Sequence, residues 1–304
     1  MSALFVTGGT GFIGRYLLRK LDPARFPTVL CLSRDATRMR RILEEKKNCE
    51  VLSGELLDPT TYATHLAGFR TVVHLAAVTG KAAPREYDEV NRHGTELLLE
   101  ECRRAGVTNF LHVSTIAVRY KDRSAYPYAD SKAASEAAVE RSGLRYAIVR
   151  PTVVISNDSP VWISLSKLGK APMIIVPGDG RVRLQPIYLD DLIDCLVTVL
   201  DKELFTNEAF DLGGPEPVTI EKLLATLHRL HRGHDPFVVH LPLRPIRAVL
   251  QVLERVFLSR LPVTSGQLSL FGNDGTIESN KVFDRHASSM KGVQAMIELA
   301  LGNG

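Results

Sequence analysis

The chain has 304 residues, 45% hydrophobic and 24% charged, with a formal net charge of +4. That length can bury a large core in one large α/β unit or two modest domains, and the scattered basic residues form no nucleic-acid-binding block. Four cysteines, Cys31, Cys49, Cys102 and Cys195, lie far apart with no CxxC spacing, which argues against a zinc site or a disulfide framework and for a reducing cytosol.

The first residues, MSALFVTGG, start a strand at once and leave no room for a secretory leader. Charged residues interrupt every apolar stretch before it reaches the roughly 20 residues a spanning helix needs, so a cytoplasmic protein without a transmembrane segment is expected. ALFVTGG, TVLCLSR, CEVLSG, TVVHLAA, NFLHVST and RYAIVRP are continuous apolar runs suited to strands buried on both faces. YDEVNRHGTELLLEECRRAG and YADSKAASEAAVERSG carry apolar residues at helical spacing and end at Gly106 and Gly143. This alternation predicts an α/β fold, a doubly wound parallel sheet, over residues 1–154. A smaller, mixed substrate-binding domain is expected over 155–304, with part of 184–214, including AFDLGG, returning to the first.

TGGTGFIG, residues 7–14, sets Gly8, Gly11 and Gly14 between a strand and a helix, where a pyrophosphate could approach backbone amides without meeting Cβ atoms. A carboxylate about 20 residues on would bind the ribose hydroxyls of NAD, whereas an arginine accommodates the 2′-phosphate of NADP. VLCLSRDATR places Ser33 and Arg34 at that point, with Arg38 adding charge, so NADP is the expected cofactor. Asp35 one residue on keeps NAD as the alternative.

YADSK, residues 128–132, puts Tyr128 and Lys132 on one face if a helix starts there. An ammonium near a phenol stabilises the phenolate and lowers its pKa toward that of a working acid or base. NFLHVST ends a strand with Ser114, read as a structural hydroxyl bonded to backbone, and Thr115, placed to hydrogen-bond a substrate oxygen.

TGGTGFIG, HLAA at 74–77, VNRHGT at 90–95, VST, YADSK and RPTVV in this order resemble the short-chain dehydrogenase/reductase superfamily, in its extended and atypical branches. The resemblance implies that Tyr128 is the catalytic acid/base, that Lys132 binds the nicotinamide ribose and tunes the tyrosine, and that Thr115 orients substrate. It implies that Asn91 supports the active-site water and backbone, where the residue alone could equally cap or kink its helix. It further implies cofactor contacts from Phe12, Ile13, Leu75, Ala76, Ala77 and Pro151 within these motifs, and from Glu55 and Leu56 beside adenine. Glu55 departs from the Asp usual there, and the short gap between Thr115 and Tyr128 removes part of a loop usual in sugar epimerases.

Asp190 and Asp191 read as helix-dipole partners. His228, His231 and His234 in LHRLHRGH read as a solvated basic helix end, so no metal is expected. Residues 241–262 carry an apolar stripe, Ile246, Val249, Leu250, Leu253, Val256 and Phe257, among Arg247, Arg255 and Arg260. Packing on the core or the substrate cleft is expected, with peripheral membrane contact as the alternative. IVPGDGRVRLQPIYLDD and FDLGGPEPVTIEKLL, and less specifically LPVTSGQLSLFGND, resemble the atypical branch that contains the accessory nucleotide-binding subunit of respiratory complex I and its bacterial relatives. The expected function is an NADP(H)-dependent oxidoreductase acting on a carbonyl or secondary alcohol. The alternatives are a nucleotide-sugar epimerase or dehydratase with retained NAD, and a cofactor-binding structural or assembly subunit of a membrane respiratory complex. A small-molecule substrate is the expected partner, no nucleic acid is, and a homodimer is open.

Overall fold

The computed structural model describes residues 3–258, 260–261 and 263–302. Its chain divides into two compact units, one of Met1–Thr115, Asp130–Arg150 and Ile193–Phe210, the other of Ile116–Ala129, Pro151–Leu192 and Asp211–Gly304.

The first unit is built on a seven-stranded sheet: β1 (Leu4–Thr7), β2 (Val29–Ser33), β3 (Cys49–Ser53), β4 (Thr71–His74), β5 (Asn109–Val113), β6 (Arg145–Pro151) and β7 (Glu208–Leu212). The spatial order is β7-β6-β5-β4-β1-β2-β3, with parallel pairing from β6 through to β3. This is the expected doubly wound fold, and AFDLGG supplies β7. The initial strand runs from Leu4; Met1 and Ser2 lie outside the described residues. LFVT, TVVH and NFLHV are buried along their whole lengths, as strands covered on both faces must be. Phe5, Val72 and Phe110 are register partners on one face, where they pack with Leu98, Leu99 and Cys102.

The helices that frame the site are α1 (Phe12–Lys20), α2 (Ala36–Ile42), α3 (Gly94–Arg104) and α4 (Pro127–Glu140); α5 (Leu189–Asp201) follows later in the chain. Gly106 and Gly143 follow α3 and α4 with φ of +76° and +77°, the left-handed conformation that ends a helix with least strain in glycine. A π-helical turn, Asp88–His93, leads into α3.

The second unit is mixed, with three two-stranded ribbons and a core including Trp162, Leu165, Ile174, Leu224, Leu227, Phe271 and Met296. Helices Pro160–Lys170 and Ile220–Arg232 pack so closely that a Cβ on Gly169 would lie 2.7 Å from Leu227 Cβ. The stripe in 241–262 does not pack as a whole: Ile246 and Leu250 face the core, whereas Val249, Leu253, Val256 and Phe257 are exposed. The inward face instead uses polar contacts, Arg247 to Asp122 and Glu254 to Ser265 Oγ. The side chain of Arg255, and Pro262, lie outside the described residues. No helix among the described residues is long and apolar enough to cross a membrane.

Candidate active site

The glycine turn is demanded by packing before any ligand is considered. Gly8 has φ of +75°, and a Cβ there would fall 2.4 Å from the backbone nitrogen of Ala76, in the segment after β4. A Cβ on Gly14 would fall 2.3 Å from the Gly8 carbonyl oxygen. Only glycine lets β1, the first turn of α1 and the Leu75–Ala76–Ala77 segment approach this closely. Phe12 and Ile13 open α1, whose first turn carries no acidic residue, so its N-terminal amides present uncompensated positive dipole.

Beyond β2, Ser33 Oγ donates to the Asp35 carbonyl at 3.1 Å. The Asp35 carboxylate caps α2, accepting the Arg38 backbone N–H at 2.8 Å. Arg34 and Arg38 point their exposed side chains outward. Beyond β3, Glu55 is exposed, while Leu56 is buried in the core and touches the start of α3, where a Cβ on Gly94 would meet its Cδ2 at 2.8 Å. Pro151 closes β6 and is buried.

At the carboxyl end of the sheet the apolar row of Phe5, Val72 and Phe110 gives way on the same face to Thr7, His74 and His112. Thr95 Oγ1 donates to the Asn91 carbonyl at 2.6 Å, so it accepts from His74 Nε2 at 2.9 Å. His74 Nδ1 therefore accepts from Thr7 Oγ1 at 2.7 Å. Burial, reinforced by the Lys132 charge, holds His74 neutral with its pKa pushed down to about 3. His112 stacks on it with ring centroids 5.3 Å apart and is pushed well below its ordinary range, first by burial and then by Lys132 and His74.

Lys132 is the ammonium above this row. Only 2% exposed, it donates from Nζ to the Val113 carbonyl at 2.9 Å and lies 3.2 Å from His112 Nε2. Desolvation lowers its pKa from 10.5 to about 8, and the Glu136 charge opposes that fall. Glu136 is itself paired with Arg150, whose Nε lies 2.9 Å away. Because α4 begins at Pro127, Tyr128 sits in its first turn and Lys132 one turn on, the spacing that shares a face. Tyr128 is half-buried, its ring 5.6 Å from that of Tyr126.

Asn91 neither caps nor merely kinks its helix. From the π-turn its Oδ1 accepts the Val78 N–H at 2.7 Å, and its Nδ2 donates to the Val78 carbonyl and to Ser131 Oγ, both at 3.0 Å. The side chain thus ties the loop following HLAA to α4. Thr115 ends the β5 segment, half-buried. Ser114 departs from the reading made of it: its amide donates to the Val149 carbonyl at 2.7 Å, but its buried hydroxyl has no hydrogen-bond partner among the described residues. His112 was missed, although a histidine in phase with Phe110 inside an otherwise apolar run was a visible signal.

In the second unit, His228 is fully buried rather than solvated, because it lies on the core side of the helix Ile220–Arg232. His231 Nε2 is 3.1 Å from Ser166 Oγ, and Gly233 ends the helix with φ of +77°. Among the described residues no cluster could hold a metal ion. Asp191 does more than face a helix dipole: it accepts from the Lys291 backbone at 2.9 Å and pairs with its Nζ at 3.1 Å.

The model of the NAD dependent epimerase/dehydratase family matches residues 4–213. The chain belongs to that family. Membership in this branch of the short-chain dehydrogenase/reductase superfamily makes it an NAD(P)-dependent enzyme of the oxidoreductase or epimerase type. Among curated relatives, the chain is 24% identical to "NADH dehydrogenase [ubiquinone] 1 alpha subcomplex subunit 9, mitochondrial" of Arabidopsis thaliana, over 88% of this chain and 67% of that one. It is 29% identical to the "4-hydroxy-2-methyl-3-oxo-4-farnesyl-3,4-dihydroquinoline-1-oxide ketoreductase" of Stigmatella aurantiaca, over 91% of this chain and 89% of that one. Among solved structures, the fold matches a Thermus thermophilus UDP-glucose 4-epimerase in complex with NAD, with TM-score 0.72, 22% identity and coverage of 99% and 98%. This family member's own residues fit a dinucleotide: a turn that excludes side chains at Gly8 and Gly14, an acid-free helix start and an unpaired buried hydroxyl on Ser114.

Proposed function

We propose that the protein is an NADP(H)-dependent oxidoreductase that interconverts a carbonyl and a secondary alcohol. The observation that carries this reading is Lys132, a buried ammonium anchored on the Val113 carbonyl one helical turn after Tyr128. A buried cation is costly to keep, and a structural helix has no physical need of one there.

The glycine turn and the start of α1 would hold the pyrophosphate, Arg34 and Arg38 the 2′-phosphate, and Lys132 the nicotinamide ribose. When bound, the nicotinamide supplies or accepts the hydride at the substrate carbon. Tyr128 gives its phenolic proton to the carbonyl oxygen as that oxygen becomes a hydroxyl, and takes it back in the reverse direction. The Lys132 ammonium stabilises the phenolate left behind, and the Thr115 hydroxyl donates a hydrogen bond that orients the same oxygen. Preference for NADP is supported by the engagement of one Asp35 carboxylate oxygen as the cap of α2 beside the exposed Arg34 guanidinium. The likeness to a ketoreductase supports carbonyl reduction.

A second reading, a nucleotide-holding subunit without turnover, is favoured by the likeness to the complex I subunit. Incubating the purified protein with NADPH and a panel of apolar ketones and aldehydes separates the readings. Net NADPH consumption supports the reductase. Tightly retained NAD with no net consumption speaks for an epimerase or dehydratase, and copurification with a membrane complex without turnover speaks for the subunit.

A further inference from the structure

Fourteen large apolar side chains are exposed among the described residues, and every one lies in the second unit, between Val161 and Leu299. Two adjoining elements concentrate them. The helix Leu243–Phe257 turns Leu250 inward and holds its inner face with Arg247 and Glu254, while its outward line runs through Val249 (58% exposed), Val252 (63%) and Val256 (73%), bordered by Leu253 and Phe257. Spacings of three and four residues make this one continuous stripe. A surface helix ordinarily does the reverse, facing its charges to water.

The ribbon just before it repeats the inversion. Val238–Leu241 pairs in parallel with Ile174–Pro177, Val239 opposite Ile175. Strand alternation buries Ile174 and Val176 and sends Ile175, Val239 and Leu241 to the other face, on which the flanking Phe237 and Met173 also fall. Phe237 is 69% exposed. Pro242 alone separates ribbon from helix. Exposed apolar residues concentrated on two sequence-adjacent elements are the kind of surface that marks an interaction site.

The charges choose its occupant. Arg247 and Glu254 face inward, and among the described residues the exposed charged groups beside the stripe are Arg244 and Arg260, which stand at its two ends. A second copy laid on the same face would set this arginine-flanked stripe against itself. An anionic bilayer surface offers negative headgroups to the arginines and acyl chains to the valines. The helix, about 22 Å long at 1.5 Å per residue, is too short to cross a hydrocarbon core of roughly 30 Å and long enough to lie in its surface. We propose that this ribbon and helix form a monotopic docking face for anionic lipid membranes. The proposal is independent of the reaction assigned above.

Flotation of the full chain with phosphatidylcholine vesicles, with and without phosphatidylglycerol, tests it. The protein should float with the anionic vesicles, less with the neutral ones, and release as salt rises. The double variant Val252→Glu/Val256→Glu should weaken binding by about tenfold or more with an unchanged melting temperature. Phe237→Ser on the ribbon gives the same readout should the helix variant melt early. Absence of flotation with anionic vesicles, or equal binding by a well-folded variant, overturns the proposal. A dimer that the double variant dissociates, without vesicle binding, would assign the face to a second copy instead and equally overturn it.

Discussion

Arg34 and Asp35 stand side by side after β2 and would favour opposite nucleotides. Both side chains are exposed, and one oxygen of the carboxylate accepts an N–H of its own helix. A charge-assisted bond to phosphate contributes roughly 1.5–3 kcal/mol, or about tenfold or more in affinity. Arg34→Ala should therefore raise the NADPH dissociation constant by about tenfold and leave that of NADH nearly unchanged; equal losses for both nucleotides would show that the arginine does not read the 2′-phosphate. Lys132 sets a second expectation. With its pKa lowered to about 8, the ammonium is present below that pH and lost above it. Reduction should therefore decline as pH rises through about 8, and Lys132→Arg, which cannot lose its proton, should move or abolish that decline in kcat against pH. A profile insensitive to this substitution would remove Lys132 from the proton chemistry. Both positions could be singled out in the sequence because each belongs to a short local pattern. The lowered lysine pKa was not, since it follows from burial.

At the scale of elements, β1, β4 and β5 bring Thr7, His74 and His112 into one polar row. No local pattern announces this, because register between strands far apart in sequence decides it. The Asn91 clamp was hidden for the same reason: its partners Val78 and Ser131 come from different segments. The histidines make the first unit acid-sensitive. His74 has a folded pKa of about 3 against an ordinary 6.5, so the unfolded chain takes up protons first. Stability should be full above about 6.5 and fall as pH drops toward 3. His74→Gln keeps an acceptor and a donor for Thr7 and Thr95 but cannot be protonated. Chemical denaturation against pH should show a flatter acid limb for it, by on the order of 2–4 kcal/mol across that range; parallel limbs would mean other groups carry the acid sensitivity.

For the whole molecule, the doubly wound sheet was readable because six apolar runs alternate with capped helical patterns, and parallel strands buried on both faces leave that signature. The second unit was less readable. Strands of two residues carry no periodicity, and an apolar stripe on a helix reveals which face is apolar but not whether it turns to a core or to solvent. Residues 243–257 do both. The proposed reaction rests on Tyr128, and its removal tests the account most directly. In Tyr128→Phe, measured beside the parent for NADPH affinity and for turnover of a ketone the parent reduces, turnover should fall by at least roughly 100-fold, the typical contribution of a positioned acid, while the NADPH dissociation constant stays nearly unchanged. A phenylalanine variant that keeps full turnover would contradict the assignment.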